Sequence, residues 1–136
     1  MRRFLLVLVA ILIVVSSAMI LRSGLKTRAK KKREVSYQSI VQAYSRDFQP
    51  GTNRKDVESK LQARKVRILQ MCCIEERSAN ADLLQIGKED APWFCSENYV
   101  YVAFEFMAQE SHDRWKSYDS DVLTKVRLYS QLGGCL

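Results

Sequence analysis

The sequence predicts an α+β fold: an N-terminal transmembrane helix, then two short helices packed on a three- to four-stranded antiparallel sheet. Three observations predict it. An unbroken apolar run opens the chain, two segments with helical spacing follow Glu34, and period-two alternation recurs from Val66 onward. The implied organisation is a signal-anchor helix over residues 1–21, a basic juxtamembrane linker over 22–34 and a small globular domain over 35–136.

The opening run extends from Phe4 to Leu21, 18 residues without a formal charge. As a helix rising about 1.5 Å per residue it covers roughly 27 Å, just short of a hydrocarbon core of about 30 Å. Phe4, Leu5, Leu6, Leu8, Ile11, Leu12, Ile13, Val14, Ile20 and Leu21 are the anchor residues of this reading. A cleavable secretory signal is the competing one, with Arg2 and Arg3 as its basic region, Phe4 to Val15 as its apolar region and Ser16 and Ala18 before the cut. Met19, Ile20 and Leu21 prolong the apolar run past that cut, which favours a retained anchor over a secreted domain. A buried helix of a soluble globule ranks below both.

Charge is partitioned sharply. Nine of the 22 Lys and Arg residues fall within the first 33 positions, and the first acidic residue is Glu34. The rest of the chain holds 13 basic and 15 acidic groups, so the net charge of +7 belongs to the N-terminal segment. A nucleic-acid partner is disfavoured, because such domains cluster basic charge on the folded surface. Arg22, Lys26, Arg28, Lys30, Lys31, Lys32 and Arg33 instead fit anionic lipid headgroups, at about 1 kcal/mol per basic residue near the surface. Membrane lipid is the first expected partner.

Two signals conflict over orientation. The flank after the run carries more positive charge than the flank before it, which taken alone favours a cytoplasm-facing domain with a lipid-binding stalk. Four cysteines, Cys72, Cys73, Cys95 and Cys135, favour an oxidising, extracytoplasmic compartment. Candidate bridges join Cys95 to Cys135, or Cys95 back to Cys72 or Cys73. Cys72 and Cys73 read equally well as small buried hydrophobes. Adjacent cysteines and a single His make a zinc site a poor match, and neither metal nor cofactor is expected.

Within the globular part, Val35 to Phe48 places Ile40, Val41, Tyr44 and Phe48 on one helical stripe, stopped by Gln49, Pro50 and Gly51. Thr52 or Asn53 then caps a second helix by accepting a backbone N–H, with Asp56 and Glu58 early in it and Val57 and Leu61 on its buried edge. Val66 to Ile74 is apolar on both parities and reads as a strand covered on both sides or partly paired. Asp82 to Ile86 reads as a short strand or a loop end. Tyr99 to Met107 is the clearest strand, with Val100, Val102, Phe104 and Phe106 on one face. A polar loop follows from Ala108 to Ser120. Asp121 to Tyr129 alternates again, with Val122, Val126 and Leu128 inward and Lys125 and Arg127 outward, before Gly133 and Gly134 end the order.

Phe48 to Leu61 reads F-x-P-G-T-x-R-x-D-V-x-x-x-L. With a helix before it and strands after it, this stretch resembles the SmpA/OmlA family, the BamE-like domains of bacterial envelope proteins. Gly51, Thr52, Arg54, Asp56, Val57 and Leu61 carry the resemblance, which covers residues 36–129. It implies a small accessory or interaction domain whose partner is another envelope protein, and no catalytic role.

The residues themselves offer no catalytic constellation either: GxGxxG, P-loop, HExxH and GxSxG are all missing from the sequence. His112 beside Asp113 reads as a solvated loop pair, and Glu75–Glu76 and Glu89–Asp90 as solvated surface. Trp93, Phe94, Tyr99, Tyr101 and Trp115 read first as core; a Tyr99 and Tyr101 face left uncovered by a helix would be a partner surface.

Overall fold

The structure is a computed structural model. It describes residues 2–72, 74, 80–108, 113 and 115–136, without the side chains of residues 2–18 and 20. The chain divides into two compact units, Met1–Ser36 and Tyr37–Leu136, and the first helix, α1 (Arg2–Asp47), passes through the boundary.

The basic segment expected as a linker is part of helix α1. Residues 22–34 are helical because Leu, Lys, Arg and Ala are all strong helix formers and no proline interrupts them. Thr27 Oγ1 also donates back to the carbonyl of Ser23 at 2.9 Å. Like charges four apart cost only tenths of a kcal/mol per pair, too little to melt such a segment. The first of the two expected short helices is thus the C-terminal part of a 46-residue one. Among the described residues no helix is long and apolar enough to cross a membrane. From Leu21 onward every 18-residue stretch of α1 carries more than two charged residues. Phe4, Leu5, Leu6, Leu8, Ile11, Leu12, Ile13, Val14 and Ile20 have side chains outside the described residues, so the expected span is unsupported.

The second unit is two helical segments on a four-stranded antiparallel sheet. The strands are β1 (Ile68–Met71), β2 (Ala81–Lys88), β3 (Cys95–Met107) and β4 (Val122–Cys135), paired in the order β1-β2-β3-β4. Helix α2 (Arg54–Ala63) precedes them. The predicted stripe of α1 packs as the spacing requires: Phe48 and Val41 are buried, and Tyr44 and Phe48 meet Phe104 edge-on at 5.6 and 5.4 Å between ring centres. Val57 and Leu61 of α2 join Leu84, Val102, Phe104, Phe106 and Leu123 in the same core.

Pro50 stops α1, and Gly51 makes the turn with φ +93°, a conformation in which a Cβ is strained. Helix α2 ends in a Schellman motif, with the Val66 amide donating to the Leu61 carbonyl and the Lys65 amide to that of Gln62. Lys65 takes the left-handed position there at φ 56°.

Several strand boundaries depart from the sequence reading. Among the described residues of the Val66 to Ile74 run Ile68–Met71 pair, and Leu69 is 53% exposed, so β1 is a short, partly paired edge strand and not one covered on both sides. Asp82 to Ile86 lies within a full strand. β4 continues through Gly133 and Gly134 to Cys135, because β3 offers partners as far as Cys95. A register shift at Glu105/Phe106 turns Leu123 into the core, an inversion of parity that alternation cannot foresee.

Leu61 is fully buried between α2 and the sheet, whereas Leu25 of α1 is 61% exposed. Leu61→Ala therefore lowers the unfolding free energy by about 2–5 kcal/mol in urea titrations, and Leu25→Ala changes it by less than about 0.5 kcal/mol.

Candidate functional site

The start of α2 is built around a buried cation. Arg54 is 1% exposed, and its guanidinium lies 4.0 Å from the centre of the Phe106 ring. Nη1 donates to Asp82 Oδ1 at 2.8 Å, Nη2 donates to the Asn80 carbonyl, and Nε stands 3.6 Å from Asp121 Oδ2. Asp82 and Asp121 are both fully buried. Glu58, one turn along α2, adds a looser contact at 3.8 Å. One side chain thereby joins α2, β2 and the loop before β4.

The same loop caps α2. Asn53 occupies the N-cap position but makes no side-chain cap hydrogen bond, and Thr52 Oγ1 donates to the Gln49 carbonyl at 2.7 Å, which corrects the expected cap. The first-turn amides of Arg54 and Lys55 donate instead to the carbonyls of Asp121 and Asp119, at 2.8 and 3.1 Å. A second pair of hydrogen bonds, Gly51 amide to Leu123 carbonyl and Leu123 amide to Thr52 carbonyl, zips the turn onto the edge of β4. Asp56 is exposed, so the helix-start residues separate into a buried set, Arg54, Val57 and Leu61, and a turn set, Gly51 and Thr52.

Burial pushes the Asp82 carboxyl up to about 7; Arg54 pulls it down, and Glu58 and Asp121 add to the rise. On the opposite sheet face Glu105, also buried, receives Lys125 Nζ at 3.4 Å and Arg127 Nε. These two cations, read from the sequence as outward-facing, are half-buried partners of a core carboxylate.

That opposite face carries Leu83, Tyr101 and Ala103, all buried, with Tyr99 and Tyr129 packed alongside. Tyr101 lies 6.2 Å from Tyr99 and 6.4 Å from Tyr129 between ring centres, and Lys88 Nζ sits 4.4 Å from the centre of the Tyr99 ring. β1 pairs only as far as Leu84, so Gln85 to Lys88 of β2 have a strand neighbour on the β3 side alone. Where β1 stops, a groove of about 430 Å³ opens, with Leu69, Leu83 and Tyr101 among its apolar walls and Arg67 and Gln85 as polar ones. An extended apolar segment with a hydrogen-bonding backbone suits such a groove.

Cys95 and Cys135 are disulfide-bonded and directly opposite in the β3–β4 register. Closing 40 residues, the bond contributes about 4 kcal/mol in the chain-entropy treatment. Cys72 is also disulfide-bonded, and Cys73 lies outside the described residues. His112 lies outside them too, as do Glu75 and Glu76. Among the described residues no cluster of His, Cys, Asp and Glu is arranged to hold a metal ion. Arg22, Lys26, Arg28, Lys30, Lys31 and Lys32 are exposed, Arg33 is half-buried, and Leu21 is 69% exposed. Of the aromatics read as core only Tyr101 is buried; Trp93 is 91% and Trp115 64% exposed, because both sit in turns beyond the strands.

Sequence reading missed Asn80, Asp82, Glu105 and Asp121. A signal for Asp82 exists: it shares strand parity with Leu84, so an acidic group falls on the core face and demands a partner. No known protein family, curated protein or solved structure matches this chain.

The raised Asp82 carboxyl gives a signed pH dependence. Between its ordinary value near 4 and about 7 the folded chain holds a proton that the unfolded chain releases, so stability falls as pH rises through that window, by at most about 1.4 kcal/mol per pH unit. Chemical denaturation from pH 5 to pH 8 registers this loss, and Asp82→Asn flattens it.

Proposed function

We propose that this chain is a single-pass membrane-anchored, non-catalytic interaction domain of the SmpA/OmlA (BamE-like) kind, its globular part extracytoplasmic and supporting cell-envelope assembly. The bond between Cys95 and Cys135 is the observation that carries the orientation, since such bonds persist in oxidising compartments and are rare where thiols are kept reduced. The 18-residue uncharged run from Phe4 to Leu21 supports the anchor, and the exposed basic residues between Arg22 and Lys32 support lipid-headgroup contact beside it. Two helical segments on an antiparallel meander, with Arg54 of the helix-start motif buried at the junction, accord with the proposed family.

The binding role rests on the open groove beside β1 and the half-buried tyrosines near it. Its partner in this reading is another envelope protein that presents an extended apolar segment. The alternative, a cytoplasm-facing adaptor with a basic lipid-binding stalk, draws its support from the larger positive charge after the apolar run than before it.

A membrane-impermeant maleimide separates the two. Intact cells expressing the full chain give labelling of Cys95 and Cys135 only after an impermeant reductant is added from outside. Labelling that needs permeabilised membranes but no reductant contradicts the extracytoplasmic reading.

A further inference from the structure

One end of the sheet is apolar and exposed. Trp93 is 91%, Phe94 41%, Leu132 44% and Leu136 fully exposed, and Trp93 stacks edge-on against Phe94 at 5.7 Å. Burying such residues ordinarily stabilises a fold, so this arrangement withholds them from the core.

The tip is held by bonds. The Cys95 amide donates to the Pro92 carbonyl at 2.9 Å, the Leu136 amide donates to the Phe94 carbonyl at 2.9 Å, and the Cys95–Cys135 disulfide ties the two strands between them. Ser96 Oγ donates to the Gly133 carbonyl at 3.2 Å. Neither Ala91 to Ser96 nor Gln131 to Leu136 contains a charged residue, in a chain where 27% of residues are charged.

The position of the tip within its unit names its surroundings. Tyr37, the first residue of the unit, donates its hydroxyl to the Lys88 carbonyl at 3.4 Å, and a Cβ at Gly87 would lie 2.8 Å from its ring. Lys88 pairs with Tyr99, only a few residues along β3 from Cys95. Phe48, by contrast, packs on Phe104, toward the other end of β3. The chain therefore enters this unit near the disulfide-bonded end of the sheet, and the residues preceding Tyr37 are the basic segment from Arg22 to Arg33 and the uncharged run before it.

We infer that Trp93, Phe94 and Leu136 form a wedge that seats in the interfacial region of a phospholipid bilayer, a second membrane contact besides the anchor. This inference rests on the anchored reading above. Trp favours the headgroup level because its ring is apolar and its N–H is polar, and Phe and Leu reach the acyl boundary. The side chains from Ala91 to Ser96 and from Gln131 to Leu136 bring no charge to be desolvated there, while the basic segment attracts the anionic surface. A protein partner would equally accept aromatics, but the position of the chain's entrance into the unit favours lipid.

The test uses the full chain carrying Trp115→Phe, so that Trp93 is its sole tryptophan, reconstituted in vesicles of phosphatidylcholine and phosphatidylglycerol. The expected result is blue-shifted Trp93 emission, quenched several-fold more by lipids brominated near the headgroup than by aqueous iodide. A further Phe94→Asp or Leu136→Asp change, both at exposed positions, reduces the lipid quenching several-fold. Chain that resists carbonate extraction while Trp93 stays open to iodide overturns the wedge and leaves the anchor standing. Chain released by carbonate overturns both. Emission shielded from iodide yet indifferent to brominated lipid assigns the tip to a protein contact and overturns the lipid inference.

Discussion

A guanidinium removed from water is the constraint on which the second unit depends. Desolvating an arginine costs several kcal/mol, so the site persists only where enough acceptors converge on it. Arg54 meets that demand with Asp82 from β2, the Asn80 carbonyl just before it and Asp121 from the loop ahead of β4. Those acceptors come from two stretches of chain remote from α2, and neither can shift without exposing or orphaning a charge. The loop residues that face Arg54 also cap α2 through their carbonyls, so electrostatic and backbone requirements fix the same geometry. Asn80 in turn donates through Nδ2 to the Trp115 carbonyl and to Ser117 Oγ, extending the tie further back along that loop.

The α+β class and the antiparallel meander were legible because apolar spacing carried them. Ile40, Val41, Tyr44 and Phe48 could lie on one face only of a helix, and Val100 through Phe106 could alternate only as a strand. Three features were opaque for physical reasons. A basic segment reads as a linker by charge although its residues favour helix, and propensity won. The inward turn of Leu123 depends on a register shift between two strands, which no single-strand pattern encodes. The buried partners of Arg54 lie 26 or more residues away in sequence, so the motif marked the arginine as notable but left its role unstated.

Of the expected site, the Cys95–Cys135 bridge was one of several pairings the sequence left open, and the β3–β4 register decides it by placing the two residues opposite each other. The exposed Trp93 and Trp115 were misjudged because aromatic content was assigned to the core by frequency, when both stand in turns outside the strands. The sheet thus has two unlike ends. One is knitted by buried charge and helix capping, the other by a covalent bond beneath an apolar tip. In the proposed role, the first end fixes the fold and the second faces the membrane, leaving the groove beside β1 for a protein partner.

Amide hydrogen exchange on the full chain carrying Arg54→Met tests the central constraint most directly. Loss of protection at the first turn of α2, at Asp82 in β2 and around Asp121 together, by a common factor, is the result expected of one charge tying three segments. Exchange that accelerates only in α2 while Asp82 and Asp121 keep their protection would contradict it.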